Sequence, residues 1–265
     1  QGEGGIFVGD DYYLKRLRTV CNQFGIMLIF DEIQTGFGRT GKLFASQHSG
    51  VVPDIMVLAK SISGGIFPNA VVMYRTTPLL NNYVKSNHDF HQSITGGSDH
   101  GCAVGSAVID YVVKNRLWEN AAKMGAILMD GLLTIQHENP TIIKEIRGKG
   151  LMIGVEYTHE YMGALMADSL ARHGIFAIYS GNQPQVMRFM VPITISEQEV
   201  QKMLTIIQKA IGTMKLYLPL TKPLSKIPIL SRLLDDIHIQ IAVFDIVRYC
   251  EDILGITKRN YSKEA

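Results

Sequence analysis

The sequence predicts an α/β fold, and three observations carry that prediction. Two apolar runs, GIMLIFD at residues 25–31 and DIMVLAK at residues 54–60, show no period-2 alternation and read as strands buried on both faces. The segment DDYYLKRLRTVCNQFG, which leads into the first run, sets Tyr13, Leu14, Leu17, Val20 and Cys21 at helical spacing. A helix feeding a buried strand predicts a βαβ crossover. Third, each apolar run stops at one charged residue, Asp31 in the first and Lys60 in the second. In neighbouring strands of a mostly parallel sheet these two residues share the carboxyl edge, where open α/β sheets bind ligands. An acid and an amine then face one crevice.

The elements follow in order. QGEGG at residues 1–5 reads as a glycine turn with Glu3 on the surface. Asp10 or Asp11 caps the first helix and Gly25 stops it. Beyond Lys60 the turn-like SISGG precedes a short apolar run at residues 69–75, NAVVMYR, which is the next strand. Residues 102–136 are helix-rich with an interruption around Asn115, and Pro140 ends them. A strand pattern occupies residues 143–157, where Gly148 and Gly150 serve turns, since no G-x-G-x-x-G series continues. A helix over residues 163–173 is stopped by Gly174, and a strand follows. Arg188 stands in the alternating run VMRFMV before Pro192, ahead of a Ser196-to-Glu199 capping box and a helix. Pro219, Pro223 and Pro228 predict an extended or irregular segment. Past them, Leu230, Leu233, Leu234, Ile237, Ile241, Phe244 and Val247 share one helical face, to be buried on the parent domain, else on a partner, and third on a membrane surface.

Composition narrows the function. With 265 residues, 46% of them hydrophobic, the chain can bury a substantial core. A net charge of +2 with no basic stripe argues against nucleic acid as a partner. The three cysteines, Cys21, Cys102 and Cys250, are odd in number and form no CxxC pair, so neither a disulfide framework nor a zinc site is indicated. His88, His91 and His100 follow no ligand spacing, so no metal site is expected. No apolar run has the length of a membrane span, and no signal peptide opens the sequence, so a soluble cytoplasmic protein is expected.

The amine and the acid at the strand ends suit pyridoxal phosphate. Lysine condenses with its aldehyde, and an acid beside the pyridine nitrogen keeps the ring an electron sink. The plainer alternative is a solvated lysine and a turn-capping aspartate.

The strings DEIQTGFGRTGK and PDIMVLAKSISGG, in that order, resemble the class III, ornithine-type pyridoxal-phosphate aminotransferases of fold type I. The resemblance implies that Lys60 is the Schiff-base lysine and proton carrier, Asp31 the partner of the pyridinium nitrogen, and Gln34 a neighbour of the phenolic oxygen. It implies that Arg188, in its RF-x-x-P context, receives the substrate carboxylate and that Glu3 gates it. Residues 88–102 occupy the place of the family's H-x-S-T-F-G-G-N-P motif, whose threonine reaches a cofactor phosphate across the dimer interface. Here Ile94 takes the threonine position and Ser98-Asp99 replace Asn-Pro, so Ser93 or Thr95 is left to supply the hydroxyl, and Thr95 is taken as the contact.

QGEGG matches the middle of the family's large domain, so the preceding half, with its phosphate loop, is expected to belong to a longer protein. The implied organisation is a C-terminal part of the cofactor-binding large domain at residues 1–106, a connecting helix and small α+β domain at 107–214, and a Pro-rich segment with an amphipathic helical extension at 215–265. A homodimer is implied, with a small-molecule amino donor and a carbonyl acceptor as substrates. Through no single motif, the chain also resembles the transaminases of prodigiosin biosynthesis, which implies an apolar acyl aldehyde as acceptor. An aminomutase, a decarboxylase or a non-catalytic dimerisation module are the alternatives.

Overall fold

The computed structural model of the protein describes residues 1–87, 93 and 95–225, with side chains described as far as residue 215. His88, His91, Ile94 and the apolar helical face beyond residue 229 lie outside the described residues.

The first helix, α1 (Asp11–Phe24), starts where its chemistry dictates. The Asp10 carboxylate accepts from the N–H of Tyr12 at 2.6 Å, and Gly25 closes the helix in the left-handed region at φ 65°. Strand β1 (Ile29–Asp31), the one-turn α2 (Ser46–Ser49), β2 (Ile55–Leu58), a 3₁₀ turn at Lys60–Ser63 and β3 (Val71–Tyr74) follow. Strands β1 and β2 are parallel, with Asp31 opposite Val57, and β3 adds antiparallel to β2. Cys21, Leu28 and Val51 form the small core between α1 and this sheet.

One expectation fails here. The predicted strands are not buried on both faces, since Ile29 is 54% exposed and every residue of β3 is exposed. Their apolar sequence is written for two covered faces, and the described residues supply only part of that cover. Helix α1 leads into β1 as expected, and a separate crossover makes β1 and β2 parallel. It is the segment 32–54 with α2.

Helix α3 (Pro78–Ser86), which hydrophobic periodicity alone did not predict, begins at the Thr77 cap with Pro78 in its first turn. Helix α4 (Asp99–Lys114) is capped by the Ser98 hydroxyl and is separated from α5 (Leu117–Glu138) by Arg116 at φ 49°, which is the interruption expected near Asn115.

The second sheet is antiparallel, ordered β4 (Ile143–Lys149), β5 (Met152–Tyr157), β7 (Gln183–Phe189), β6 (Ile178–Ser180), with α6 (Met162–Arg172) between β5 and β6. Gly150 makes the β4–β5 turn at φ 57°, as expected, whereas Gly148 stands within β4 opposite Ile153. Helices α5, α6 and α7 (Glu197–Ser225) pack on this sheet around Leu128, Leu132, Ile153, Met166, Phe189 and Ile207. At the start of α7 the capping box is made: the Ser196 N–H donates to the Glu199 carboxylate at 2.8 Å and the Glu199 N–H to the Ser196 hydroxyl at 3.3 Å.

The helix then runs through Pro219 and Pro223, where an irregular segment was predicted.

Candidate functional site

The site begins at the shared carboxyl edge of β1 and β2. Asp31 ends β1, and its carboxylate accepts from the N–H of Ile33 at 2.9 Å, turning the chain away from the sheet. Lys60 follows β2 and opens the 3₁₀ turn at φ 49°, a left-handed conformation unusual for a lysine. It is held there by buried neighbours, Leu58 and Ile62, which pack with Phe37.

The loop after β1 is fixed by a carboxylate to which the sequence reading gave no role. Glu32 is 2% exposed and accepts from the N–H groups of Ala45 at 2.8 Å and Ser46 at 2.7 Å, and from the Thr35 hydroxyl at 2.7 Å. A buried carboxylate with three donors makes residues 32–46 a rigid loop rather than a loose one. Gln34 emerges from it against the backbone of Gly2, and its amide hydrogen-bonds Glu3.

Arg39, further along the same loop, ties it to the second sheet. Its guanidinium donates to the carbonyls of Leu151 and Val191, and the Leu151 N–H donates back to the Arg39 carbonyl at 2.9 Å. Burial pulls the Arg39 pKa down.

Arg188 projects from β7 with its side chain 10% exposed and pairs with Glu3. The Glu3 carboxylate also accepts from the Gly181 N–H at 3.2 Å, and its backbone carbonyl from the Asn182 N–H at 3.3 Å. The hydrogen bond from Arg188, then that from Gly181, holds the Glu3 carboxyl below the ordinary carboxylate range. The Arg188 Nε is buried with no partner among the described residues.

These groups close round one cavity of about 410 Å³, with Glu3, Gln34, Arg39, Lys60 and Arg188 on its walls beside Ser61, Ile33, Ile178 and Met190. Four residues singled out from the sequence, Glu3, Gln34, Lys60 and Arg188, thus meet although 185 positions separate the ends of the Glu3–Arg188 pair. Asp31 and Thr95 are not on its walls. Asp31 stands at the adjoining strand end, and Thr95 lies in the turn before α4, its carbonyl accepting from the Ser98 N–H at 3.3 Å. A second cavity of about 680 Å³ shares Lys60, Ser61 and Arg39 and is otherwise mainly apolar, lined among others by Ile66, Val104, Val108, Tyr111 and Ile193. Among the described residues no group of three or more His, Cys, Asp and Glu side chains is disposed to hold a metal.

The family model for aminotransferase class-III matches residues 1–211. This chain belongs to the class III aminotransferases.

An uncharacterised aminotransferase of Archaeoglobus fulgidus is 37% identical over 191 residues, covering 72% of this chain and 44% of that protein. Among solved structures, the acetylornithine aminotransferase of Elizabethkingia anophelis superposes with a TM-score of 0.74 at 30% identity, over 80% of this chain and 52% of that one. The ornithine aminotransferase of Toxoplasma gondii, whose active site carries pyridoxal phosphate at partial occupancy, gives 0.73 at 36% identity, over 79% and 49%. This class III chain therefore spans about half the length of the relatives it matches. Its two sheets are part of the fold type I architecture.

Arg39 and Glu32 are the site residues that sequence reasoning missed. Both stand in the quoted string DEIQTGFGRTGK, and their signal was a charged residue inside a glycine-rich loop.

Proposed function

We propose that this chain supplies the lysine-bearing part of a pyridoxal-phosphate aminotransferase, which moves an amino group from an amino acid to an aldehyde or ketone. The observation that carries the reading is the single cavity in which Lys60, Gln34 and the Glu3–Arg188 pair meet at the strand edge that also ends in Asp31. The donor set fits the cofactor: a primary amine and a carboxylate come from the ends of adjacent parallel strands, and the Gln34 amide lines the same cavity as the amine. When bound, pyridoxal phosphate supplies an electron sink for the pair left on a substrate carbon.

The chain's own residues supply the rest. Lys60 Nζ holds the cofactor at rest and, once free, takes a proton from the substrate carbon and returns it nearby, a transfer for which a flexible amine stem at the cavity wall is suited. Asp31 keeps a positive charge on the ring nitrogen, and the Ile33 N–H bond fixes its carboxylate at the strand end. Gln34 orients the ring oxygen. Arg188 binds a substrate carboxylate through its planar fork once Glu3 swings away. Thr95 is proposed to reach a phosphate across a homodimer interface.

For the acceptor we propose an apolar acyl aldehyde of secondary metabolism, as in prodigiosin biosynthesis. The mainly apolar cavity adjoining Lys60 supports that reading, because Val104, Val108, Tyr111 and Ile193 offer an acyl chain an apolar wall away from Lys60 and Arg39.

The test is borohydride reduction of the full-length protein with pyridoxal phosphate, followed by peptide mapping. The cofactor mass should be fixed on the peptide carrying Lys60 and be absent from Lys60→Ala. Labelling elsewhere, or none, overturns the assignment. Amino transfer to added 2-oxoglutarate separates the transaminase from a decarboxylase or aminomutase.

A further inference from the structure

Arg147 lies on β4, outside the cavity walls, with only 9% of its side chain exposed. Its Nε donates to the Gly5 carbonyl at 2.8 Å, and its guanidinium carbon stands 4.3 Å from the centre of the Phe7 ring. One terminal nitrogen donates to Glu156 at 2.5 Å and to Glu145 at 3.0 Å. Glu156, on β5 and 7% exposed, takes the Lys144 ammonium on its other oxygen at 2.6 Å. A buried arginine thus grips the backbone two residues beyond Glu3 and the ring four residues beyond it.

The gripped segment is a tight turn. The N–H groups of Gly5 and Ile6 both donate to the Gly2 carbonyl, at 3.1 and 3.3 Å, leaving Glu3 at the tip. Gly5 sits at φ 108°, and a Cβ there would stand 3.1 Å from the Arg147 Nη2, so the backbone meets the guanidinium where a side chain would crowd it. On the other side of Glu3 the contacts are longer: the Asn182 N–H to the Glu3 carbonyl at 3.3 Å and the Ser180 hydroxyl to the Gly2 carbonyl at 3.4 Å. Those bonds can yield while Arg147 and the buried Ile6 hold.

We propose that Arg147, braced by Glu156, is a positioning residue that holds the Glu3 turn so that its carboxylate meets Arg188, and thereby sets how readily Arg188 opens to a substrate carboxylate. The second clause rests on the aminotransferase reading. The first does not. Glu3 opens by rotating its own side chain about a fixed turn, because the turn itself is latched to the small-domain sheet. Lysine cannot replace the latch: it satisfies Glu156 as a point charge but has no second donor in a fixed fork to reach the Gly5 carbonyl at the same time.

The test compares the full-length parent with Arg147→Lys, Arg147→Met and Phe7→Ala by amide hydrogen exchange at Gly181 and Asn182, the two N–H groups that Glu3 accepts. With the latch lost, both should exchange about tenfold faster in R147K and R147M, and a few-fold faster in F7A, which removes only the ring contact. In a Glu3→Ala background, which leaves Gly181 no side-chain acceptor, R147K should add nothing at Gly181. If R147M does not fold, R147K alone decides, since it keeps a cation beside the buried Glu156. Parent-like protection at both amides in R147K overturns the proposal, because neutralising Glu156 would then be Arg147's whole role. In the same preparations, R147K should lower the KM for 2-oxoglutarate by about fivefold while leaving the KM of an acceptor without a carboxylate within twofold, as roughly 1 kcal/mol of gating is released. Parallel change in both constants overturns the gating clause. If the parent transfers no amino group, the aminotransferase reading fails while the exchange data still decide the latch.

Discussion

Replacing Glu32 tests the idea that the loop bearing Gln34 and Arg39 is held by one carboxylate. In Glu32→Ala the N–H groups of Ala45 and Ser46 and the Thr35 hydroxyl lose their acceptor at a position where Glu32 itself is 2% exposed. The Thr35 hydroxyl can rotate towards another acceptor, but two backbone donors cannot. Each orphaned buried donor costs about 1–3 kcal/mol, and a shell that relaxes enough to admit water recovers part of that, leaving roughly 2–4 kcal/mol for the substitution. Glu32→Gln keeps one carbonyl oxygen and turns an N–H₂ towards the other donor, so about half of that loss is expected. Urea unfolding of the full-length protein, with a slope of about 1–3 kcal/mol per molar, should show a midpoint lowered by roughly 1–2 M in the alanine variant and by less in the glutamine variant. Amide exchange at Ala45 and Ser46 should accelerate in step. An alanine variant within about 0.5 kcal/mol of the parent, with both amides still protected, would refute the reasoning, since the three bonds would then carry no net stability.

Arg188→Lys should raise the KM of carboxylate-bearing substrates by about 10- to 100-fold with a smaller effect on an aldehyde lacking that group, because an ammonium cannot bind a carboxylate through two parallel bonds. The Glu3–Arg188 pair should also be sensitive to pH. The Glu3 carboxyl is held below its usual range by Arg188 and Gly181, so its contribution is fully present above the ordinary carboxylate pKa and is lost as pH falls through the lowered value. A ¹³C carboxyl titration should show that midpoint moving back up in Arg188→Met, and added salt should weaken the effect, since Glu3 is largely exposed. Gly5→Ala should destabilise by about 1–2 kcal/mol in thermal unfolding, because φ is 108° and the new methyl meets the Arg147 guanidinium.

How much could be read in advance follows from how local each signal is. The α1 caps at Asp10 and Gly25, the break at Asn115–Arg116 and the Ser196/Glu199 box lie within one or two turns of chain, and the sequence shows them directly. The apolar runs ending at Asp31 and Lys60 gave two parallel neighbours, but their burial was misjudged, because an apolar run states the cover a strand needs and not the cover that the chain supplies. The meeting of Glu3 with Arg188 was available only through resemblance, since nothing local links residues 185 positions apart. Glu32, Arg39 and Arg147 act through bonds to backbone amides or carbonyls of other segments, and which backbone group a charged side chain will meet is not written in a sequence. The proline rule failed at Pro219 and Pro223, which stand inside α7.

The central claim is that Lys60 both holds the cofactor and moves the proton. The most direct measurement is transfer of ¹⁵N from a labelled amino acid to a carbonyl acceptor by the full-length protein, compared with Lys60→Ala at saturating pyridoxal phosphate. The account predicts labelled product from the parent and a loss of at least about 1,000-fold in the variant, with partial rescue by an added small amine that can carry the proton in place of Nζ. Undiminished transfer in Lys60→Ala would contradict it and move the chemistry to another residue.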